Sequence, residues 1–231
     1  MGLRHEEKFW ISWTQYYRLR AQIQTVLQKD PHTRNSGGYI VRSLYYETPR
    51  AEVAFEKLSG LMHRRKFRIR TYNRAADRIV LEIKRKENQR VEKHSCRLTE
   101  STARALINRE LPQTKEAEPV LAQLYLEMNQ RLARPSLIVE YEREAYVHPL
   151  GNLRITFDKH LRSGGSSIDL FDQKPCTVPA HNPSRLILEI KYDHFIPTFA
   201  QRLISRDLVG PVAISKYYLC RNSLYSWENG Q

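Results

Sequence analysis

From Met62 to Arg97 the chain alternates charged and apolar residues with the two-residue period of a β-strand. Lys66, Arg68, Arg70 and Tyr72 share one parity, and Phe67, Ile69 and Thr71 the other. After a turn placed at Ala75, Ala76 and Asp77, a second arm sets Glu82, Lys84 and Lys86 against Ile79, Leu81 and Ile83. A third arm carries Val91, Lys93, Ser95 and Arg97 in one register. Taken alone, such a meander covers a core with its apolar face and turns its cations to water.

The flanking segments add helices and more strands. Arg4 to Ile11 reads as a short strand with Arg4, Glu6 and Lys8 on one side. Ser12 followed by Gln15 has capping-box spacing, and Trp13 to Gln28 brings Tyr16, Leu19, Ile23, Val26 and Leu27 near one helical face before Asp30 and Pro31. Tyr39 to Tyr46 alternates again, but both of its faces are partly apolar, which points Arg42 into an enclosed space. Helices are expected from Pro49 to Ser59, from a Thr99 cap to about Leu111, from Glu116 to Ala133 and from Pro197 to Leu208. Strands are expected over Leu137 to Tyr146, Asn152 to Leu161, Leu186 to Tyr192 and Val212 to Leu219, with a Gly-, Ser- and Pro-rich loop from Ser163 to Pro183. No repeat or low-complexity tract divides the chain, so residues 1–231 are expected to form a single domain.

The late strands also place charge in an apolar setting. Glu189 and Lys191 share a register within Leu186 to Tyr192, and Arg154, Thr156 and Asp158 oppose Leu153, Ile155 and Phe157. Tyr141 with Arg143, and Ser215 with Lys216, extend the pattern. An open sheet would expose this charged face. The arrangement that encloses it is an α+β fold, a closed antiparallel β-barrel tunnel of about eight strands with helices packed outside.

Charge bears on what a tunnel would hold. Lys plus Arg number 38 against 25 for Asp plus Glu, a formal charge of +13 on 231 residues. Such a chain attracts polyanions: nucleic acid, phosphorylated metabolites, polyphosphate or an acidic membrane surface. At 41% hydrophobic residues it can bury a core, and no apolar run reaches the roughly 20 residues of a membrane span. The first residues mix acids and bases where a signal peptide would be apolar. Cys96, Cys176 and Cys220 are too few and too widely spaced for a disulfide framework or a zinc site, so a reducing cytoplasm is expected.

Cations facing one another across a lumen repel by about 1–4 kcal/mol per close pair. A polyanion removes that repulsion, and phosphate suits it because Arg binds bidentately while Lys supplies compact charge. The acids in the same registers, Glu6, Glu82, Asp158 and Glu189, can pair with cations or hold Mg2+ or Mn2+, which prefer oxygen ligands. Glu189 stands out for the metal role, because its strand is apolar and Lys191 is its charged neighbour there.

Several segments then carry a resemblance. Arg4-His5-Glu6-Glu7-Lys8, Arg42-Ser43-Leu44-Tyr45-Tyr46, Lys66-Phe67-Arg68-Ile69-Arg70, Leu81-Glu82-Ile83-Lys84, Glu142-Arg143-Glu144-Ala145-Tyr146, Arg154-Ile155-Thr156-Phe157-Asp158, Leu188-Glu189-Ile190-Lys191-Tyr192 and Ser215-Lys216-Tyr217 follow one another in an order that resembles the VTC domain. That is the vacuolar transporter chaperone type of polyphosphate polymerase, among the triphosphate tunnel metalloenzymes. The resemblance runs from about Arg4 to Arg221. It implies that Lys8, Arg42, Arg68, Arg70, Lys84, Lys93, Arg143, Arg154, Lys191 and Lys216 line the tunnel and bind the nucleoside triphosphate and product chain. It implies that Glu189 holds the metal, Mn2+ or Mg2+, with Glu6 a second candidate ligand. Tunnel triphosphatases begin with Glu-x-Glu-x-Lys, whereas Arg4 stands at the first of those positions, which favours a polymerase over a hydrolase.

The implied reaction moves the γ-phosphoryl of ATP onto a growing inorganic polyphosphate chain and releases ADP. The acceptor oxygen is already deprotonated near neutral pH, so alignment and charge neutralisation matter more than a strong base. Two other readings stay open: a tunnel hydrolase acting on inorganic or nucleoside triphosphate, and a non-catalytic polyanion or RNA binder, for which charge alone suffices. No aromatic RNA-binding signature is present, so the expected partners are ATP and inorganic polyphosphate or pyrophosphate rather than nucleic acid. Polymerases of this type couple synthesis to a membrane channel and a phosphate sensor. This sequence holds neither, which leaves open a separate membrane partner.

Overall fold

A computed structural model describes residues 4–31, 37–49, 63–87, 90–110, 118–204 and 208–228. The helix expected from Pro49 to Ser59 lies outside them almost entirely, as do Met62, Leu111, Glu116 and residues 205–207. The side chains of Arg4, Lys86 and Val91 are likewise outside the description.

The first strand, β1 (Arg4–Ser12), runs directly into α1 (Trp13–Ile23). Ser12 accepts from the Gln15 amide while the Gln15 side chain accepts from the Ser12 amide, the reciprocal cap the sequence predicts. The helix stops at Ile23 rather than Gln28, because the amides of Thr25, Val26 and Leu27 turn back onto Gln22 and Ile23. The following β2 (Gln28–Lys29) then pairs with Tyr146 and Val147.

Four strands follow: β3 (Tyr39–Glu47), β4 (His63–Tyr72), β5 (Ala75–Glu87) and β6 (Arg90–Leu98). The β4–β5 turn lies at Asn73 and Arg74 rather than at Ala75 to Asp77. Both residues have positive φ, 52° and 56°, the two-residue turn whose twist matches the strands it joins. Thr99 caps α2 (Glu100–Ile107), and Pro119 opens α3 (Pro119–Gln130), where its missing N–H costs no hydrogen bond. The sheet is completed by β7 (Arg134–His148), β8 (Leu153–Ser163), β9 (Val178–Pro179) and β10 (Arg185–Asp193). Two helices, α4 (Thr198–Ile204) and α5 (Lys216–Glu228), follow it.

The strand expected over Val212 to Leu219 is replaced by the start of α5. Ser215 Oγ accepts from the Tyr218 amide at 3.4 Å and Ser215 O from the Leu219 amide at 3.0 Å, the start of a helix. Tyr217, Cys220 and Leu224 then pack on the core at helical spacing.

The main path of the sheet is β1-β10-β8-β7-β3-β4-β5-β6, antiparallel at each step, with β2 on β7 and β9 on β8. Among the described residues no ladder joins β1 to β6, so the closed barrel expected from the sequence is not formed. The edge of β1 is taken instead by the segment entering α5, where the Val212 amide donates to Lys8 O at 2.8 Å. The sheet nevertheless curls until its two ends meet through side chains: Glu6 on β1 lies 3.9 Å from Lys84 on β5.

Helices cover the outer face in two clusters. α2 and α3 lay Ala103, Leu106, Val120, Leu121 and Leu124 on Phe67, Ile69, Ile79, Leu81 and Ile83. α1 and α4 lay Tyr16, Leu19, Ile23, Ala200 and Ile204 on Phe9, Ile11, Ile155, Phe157, Leu188 and Ile190. A third cluster fills one end of the inner face, where Tyr217 and Cys220 of α5 meet Tyr45, Leu137, Val139, Leu161 and Ile187. The architecture is α+β, an antiparallel sheet curled around a charged interior with α5 across one end. Among the described residues no helix is long and apolar enough to cross a membrane.

Candidate functional site

Strand register decides which side chains meet inside. On β4 and β5, Arg68 stands opposite Tyr45 on one side and Glu82 on the other, and Lys84 stands between Lys66 and Lys93. At the other end of the sheet Glu189 lies between Lys8 and Thr156, and Lys191 between Glu6 and Arg154. Arg143 pairs with Asp158, and Lys216 enters from the first turn of α5. Cations on this face outnumber Glu6, Glu82, Asp158 and Glu189 more than twofold.

Three carboxylates gather most of that charge. Glu82 accepts from Arg68 at 2.6 Å, with Arg70 at 3.7 Å and Lys93 in direct contact. Asp158 takes both arms of Arg143, at 2.6 and 2.7 Å, and Lys216 at 2.6 Å. Glu189 faces Lys191 at 2.5 Å, Lys216 at 3.8 Å and Lys8 at 3.9 Å. Burial alone would push the Glu189 carboxyl up, but Lys216, Lys191, Arg143 and Lys8 hold it well below the usual range. Burial likewise opposes ionisation of Glu6, and Lys191, Lys8 and Lys84 prevail over that and over Glu189, bringing its pKa down to about 2.

Tyrosine rings hold several of the remaining cations. Arg68 lies over Tyr45 at 5.7 Å, Lys66 over Tyr217 at 5.7 Å, and Lys216 and Arg143 over Tyr141 at 5.0 and 5.2 Å. Arg68 also donates to the Tyr45 hydroxyl at 2.8 Å. Burial would raise the Tyr45 pKa, but Arg68, Arg70 and Lys66 outweigh it and lower it. Tyr45 and Tyr217 were not among the expected site residues. Tyr45 was visible through its parity with Ser43, whereas Tyr217 needed α5 to be read as a helix.

Arg42 corrects the expectation that it lines the tunnel. It shares a parity with Ile40, Leu44 and Tyr46, which puts it on the helix-covered face. There it is fully buried and donates to Glu140 at 2.6 Å and to the carbonyls of Leu170 and Asp172. Arg74 adds a second guanidinium to Glu140 at 2.8 Å. Arg154 keeps the inner register but turns at the rim to Asp30, 2.7 Å away, an acid that the sequence pattern places at a helix stop.

The expected metal tests differently. Among the described residues no three His, Cys, Asp or Glu side chains form a metal cage. Glu6 and Glu189 flank Lys8 and Lys191 together, and the buried Glu189 Oε1 meets the Lys191 ammonium at 2.5 Å as an ion pair. One or two carboxylates completed by substrate phosphates and water is the ordinary way to hold Mg2+, so the donor set fits a metal that arrives with a phosphate ligand.

A family model for the VTC domain matches residues 3–225. The chain belongs to the VTC domain family. No curated protein resembles it closely enough to count as a relative. Among solved structures, a candidate adenylate cyclase from Bacillus halodurans aligns with a TM-score of 0.55 at 14% identity, covering 93% of this chain and 96% of the other. A candidate adenylate cyclase from Vibrio parahaemolyticus gives 0.51 at 13%, covering 95% and 98%. At those identities the likeness is one of fold. In this VTC domain the enclosed cation surplus supplies what a triphosphate needs, several charge-assisted donors within one small space.

Proposed function

We propose that this VTC domain is a metal-dependent polyphosphate polymerase that transfers the γ-phosphoryl of ATP to the end of an inorganic polyphosphate chain. A terminal oxygen of the acceptor forms the new bond to the γ-phosphorus, the bond from that phosphorus to the β–γ bridging oxygen breaks, and ADP leaves. The observation that carries the reading is the ratio of charges inside the curled sheet: many cations against Glu6, Glu82, Asp158 and Glu189, with Glu6 and Glu189 sharing Lys8 and Lys191 as candidate oxygen donors while Asp158 is taken up by Arg143 and Lys216. Hydrolysis calls for water to be activated, commonly by several acids around one or two metals, whereas transfer between phosphates needs alignment and neutralisation.

In this reading Arg68, Arg70 and Lys93 grip phosphates beside Glu82. Lys8, Lys84, Arg143, Arg154, Lys191 and Lys216 neutralise the donor and acceptor between them, and Tyr141 fixes the approach of Arg143 and Lys216. Arg42 has no part in it. Glu189, with Glu6, would hold Mg2+ or Mn2+, whose contribution when bound is Lewis-acid neutralisation of phosphate oxygens. The free thiols of Cys96, Cys176 and Cys220 suit the reducing, ATP-rich cytoplasm.

The test is to incubate purified protein with ATP and Mn2+. Phosphatase-sensitive polymer and ADP should accumulate together, and Glu189→Gln should abolish both while leaving the circular dichroism spectrum unchanged. Orthophosphate without polymer would make the protein a triphosphatase. Polyanion binding that follows ionic strength alone, indifferent to divalent metal, would make it a binder.

A further inference from the structure

Thr156 stands in the inner register of β8 between Arg154 and Asp158, directly across the ladder from Glu189. It is 1% exposed, and its hydroxyl has no hydrogen-bond partner. A buried hydroxyl is ordinarily paired, so an unpaired one beside a carboxylate in a charged interior points to a ligand. We propose that Thr156 Oγ1 is a ligand of the divalent cation that Glu189 takes up with its phosphates, an inference that rests on the metal-dependent polymerase reading above.

Register explains why the hydroxyl is left over. Directly opposed residues of an antiparallel ladder share a face, with Cβ atoms about 4.5–5.5 Å apart, so Thr156 lies at the foot of the longer Glu189 side chain. On its other side it pairs with Ala145, whose methyl group cannot bond to it. The charged neighbours on its own strand are engaged elsewhere: Asp158 holds Arg143 and Lys216, and Arg154 turns to Asp30 at the rim.

The chemistry of the surroundings favours a metal over a phosphate as the partner. Lys8, Lys191, Lys216 and Arg143 carry donors without lone pairs, so a phosphate arriving beside Glu189 gains little from one donor more. Lone pairs are the scarcer resource. A hard divalent cation takes oxygen ligands, and near Glu189 it finds Glu6 and the Thr156 hydroxyl, since Asp158 is already shared by two cations. A neutral hydroxyl adds a ligand without cancelling any of the positive charge that holds the polyanion. The ammonium groups of Lys191 and Lys216, 2.5 and 3.8 Å from the Glu189 carboxylate, are the charges that an incoming metal would turn toward the phosphates.

Titration of Mn2+ into the protein carrying one equivalent of tripolyphosphate, followed by electron paramagnetic resonance, tests the assignment without turnover. Thr156→Val keeps the branched shape and removes the lone pairs. It should raise the Mn2+ dissociation constant about ten- to a hundredfold and leave metal-free tripolyphosphate affinity within about twofold. It should melt no lower than the wild type, because the hydroxyl it removes is unpaired. Thr156→Cys puts a soft ligand in the same place, so Mn2+ should weaken while Cd2+ tightens and shows the ultraviolet band of a metal thiolate. A purely structural hydroxyl would move the melting temperature and neither metal. Unchanged Mn2+ affinity in Thr156→Val, an equal loss of metal-free tripolyphosphate, or no gain of Cd2+ in Thr156→Cys would overturn the assignment and leave the polymerase reading in place. If metal binding follows Thr156 but the wild type releases orthophosphate instead of polymer, the polymerase reading falls and the ligand stands. A wild-type tripolyphosphate complex that takes up no Mn2+ would end both.

Discussion

Arg42 and Arg70 lie on adjacent strands, β3 and β4, and both are buried, but on opposite faces of the sheet. On the outer face, Arg42 and Arg74 share Glu140, and the carbonyls of Leu170, Asp172 and Gln173 take up further guanidinium donors. Nearby Glu144 accepts from Tyr16, Tyr146 and Arg20. On the inner face, Arg70 reaches only the Ser43 hydroxyl at 3.3 Å and, at 3.7 Å, a Glu82 already taken by Arg68 and Lys93. On the outer face each charge meets an opposite charge, although Arg42 Nη2 is buried without a hydrogen-bond partner, whereas the inner face has more positive charge than its own acids can answer. A charged residue in an alternating strand thus belongs to a structural clamp or to a binding site according to whether neighbouring acids balance its charge.

Exchanging each arginine for methionine separates the two kinds of charge. Arg42→Met leaves the buried Glu140 to Arg74 and unhooks the loop at Leu170 to Asp172, at a cost of about 3 kcal/mol. For a chain of this length that lowers the melting temperature by roughly 6–12 °C, with tripolyphosphate affinity unchanged. Arg70→Met should leave the melting temperature unchanged or raise it, because it relieves repulsion in the empty site. It should weaken tripolyphosphate about ten- to a hundredfold, the worth of one charged hydrogen bond. If the Arg42 variant loses as much affinity as the Arg70 variant, the distinction between the faces is wrong.

Acid probes the same contrast more gently. Glu6, with its pKa near 2 against an ordinary 4.5, and Glu189 and Asp158, held low by surrounding cations, favour the folded state while ionised. Because their folded pKa values are depressed, the stability they contribute is present above pH 4.5 and drains away as pH falls toward 2. Chemical denaturation should give a shallow decline from pH 7 to 5, where burial holds the His181 pKa down, and a steep fall below 4.5. Glu6→Gln should flatten part of that fall, and an identical slope in the variant would show that Glu6 is not set by Lys191, Lys8 and Lys84.

The alternation that made the charged face legible also explains what was missed. Two-residue periodicity placed Arg68, Arg70, Lys84, Arg143, Glu189 and Lys191 on one side of the sheet, because parity is a local property. It could not say which side of β3 faced the interior, since both are partly apolar, and so Arg42 was put in the wrong compartment. Nor could it register that Val212 would bond to β1 and leave the barrel open, because that depends on a contact between residues some two hundred positions apart. The Arg154–Asp30 pair was hidden for the same reason, and Tyr217 because the segment from Val212 to Leu219 reads as a strand where a helix begins at Lys216.

The smallest effect concerns Lys216, an inner cation supplied by a helix rather than a strand. Lys216 reaches Asp158 and Glu189 from the first turn of α5, and Tyr217 beside it donates to Glu47 at 2.7 Å, so the cap at Ser215 fixes both. The Ser215 Oγ contact is long at 3.4 Å, which puts its loss at the low end of capping effects. Ser215→Ala should cost about 0.5–1 kcal/mol and lower the melting temperature by roughly 1–4 °C. If Lys216 depends on that cap, tripolyphosphate affinity should fall by no more than a few fold, in contrast to Arg70→Met, because the helix still packs through Tyr217 and Cys220. A Ser215→Ala protein that melts as the wild type does would mean that α5 is held by its apolar face alone, and that the position of Lys216 is set by Asp158 rather than by the helix that carries it.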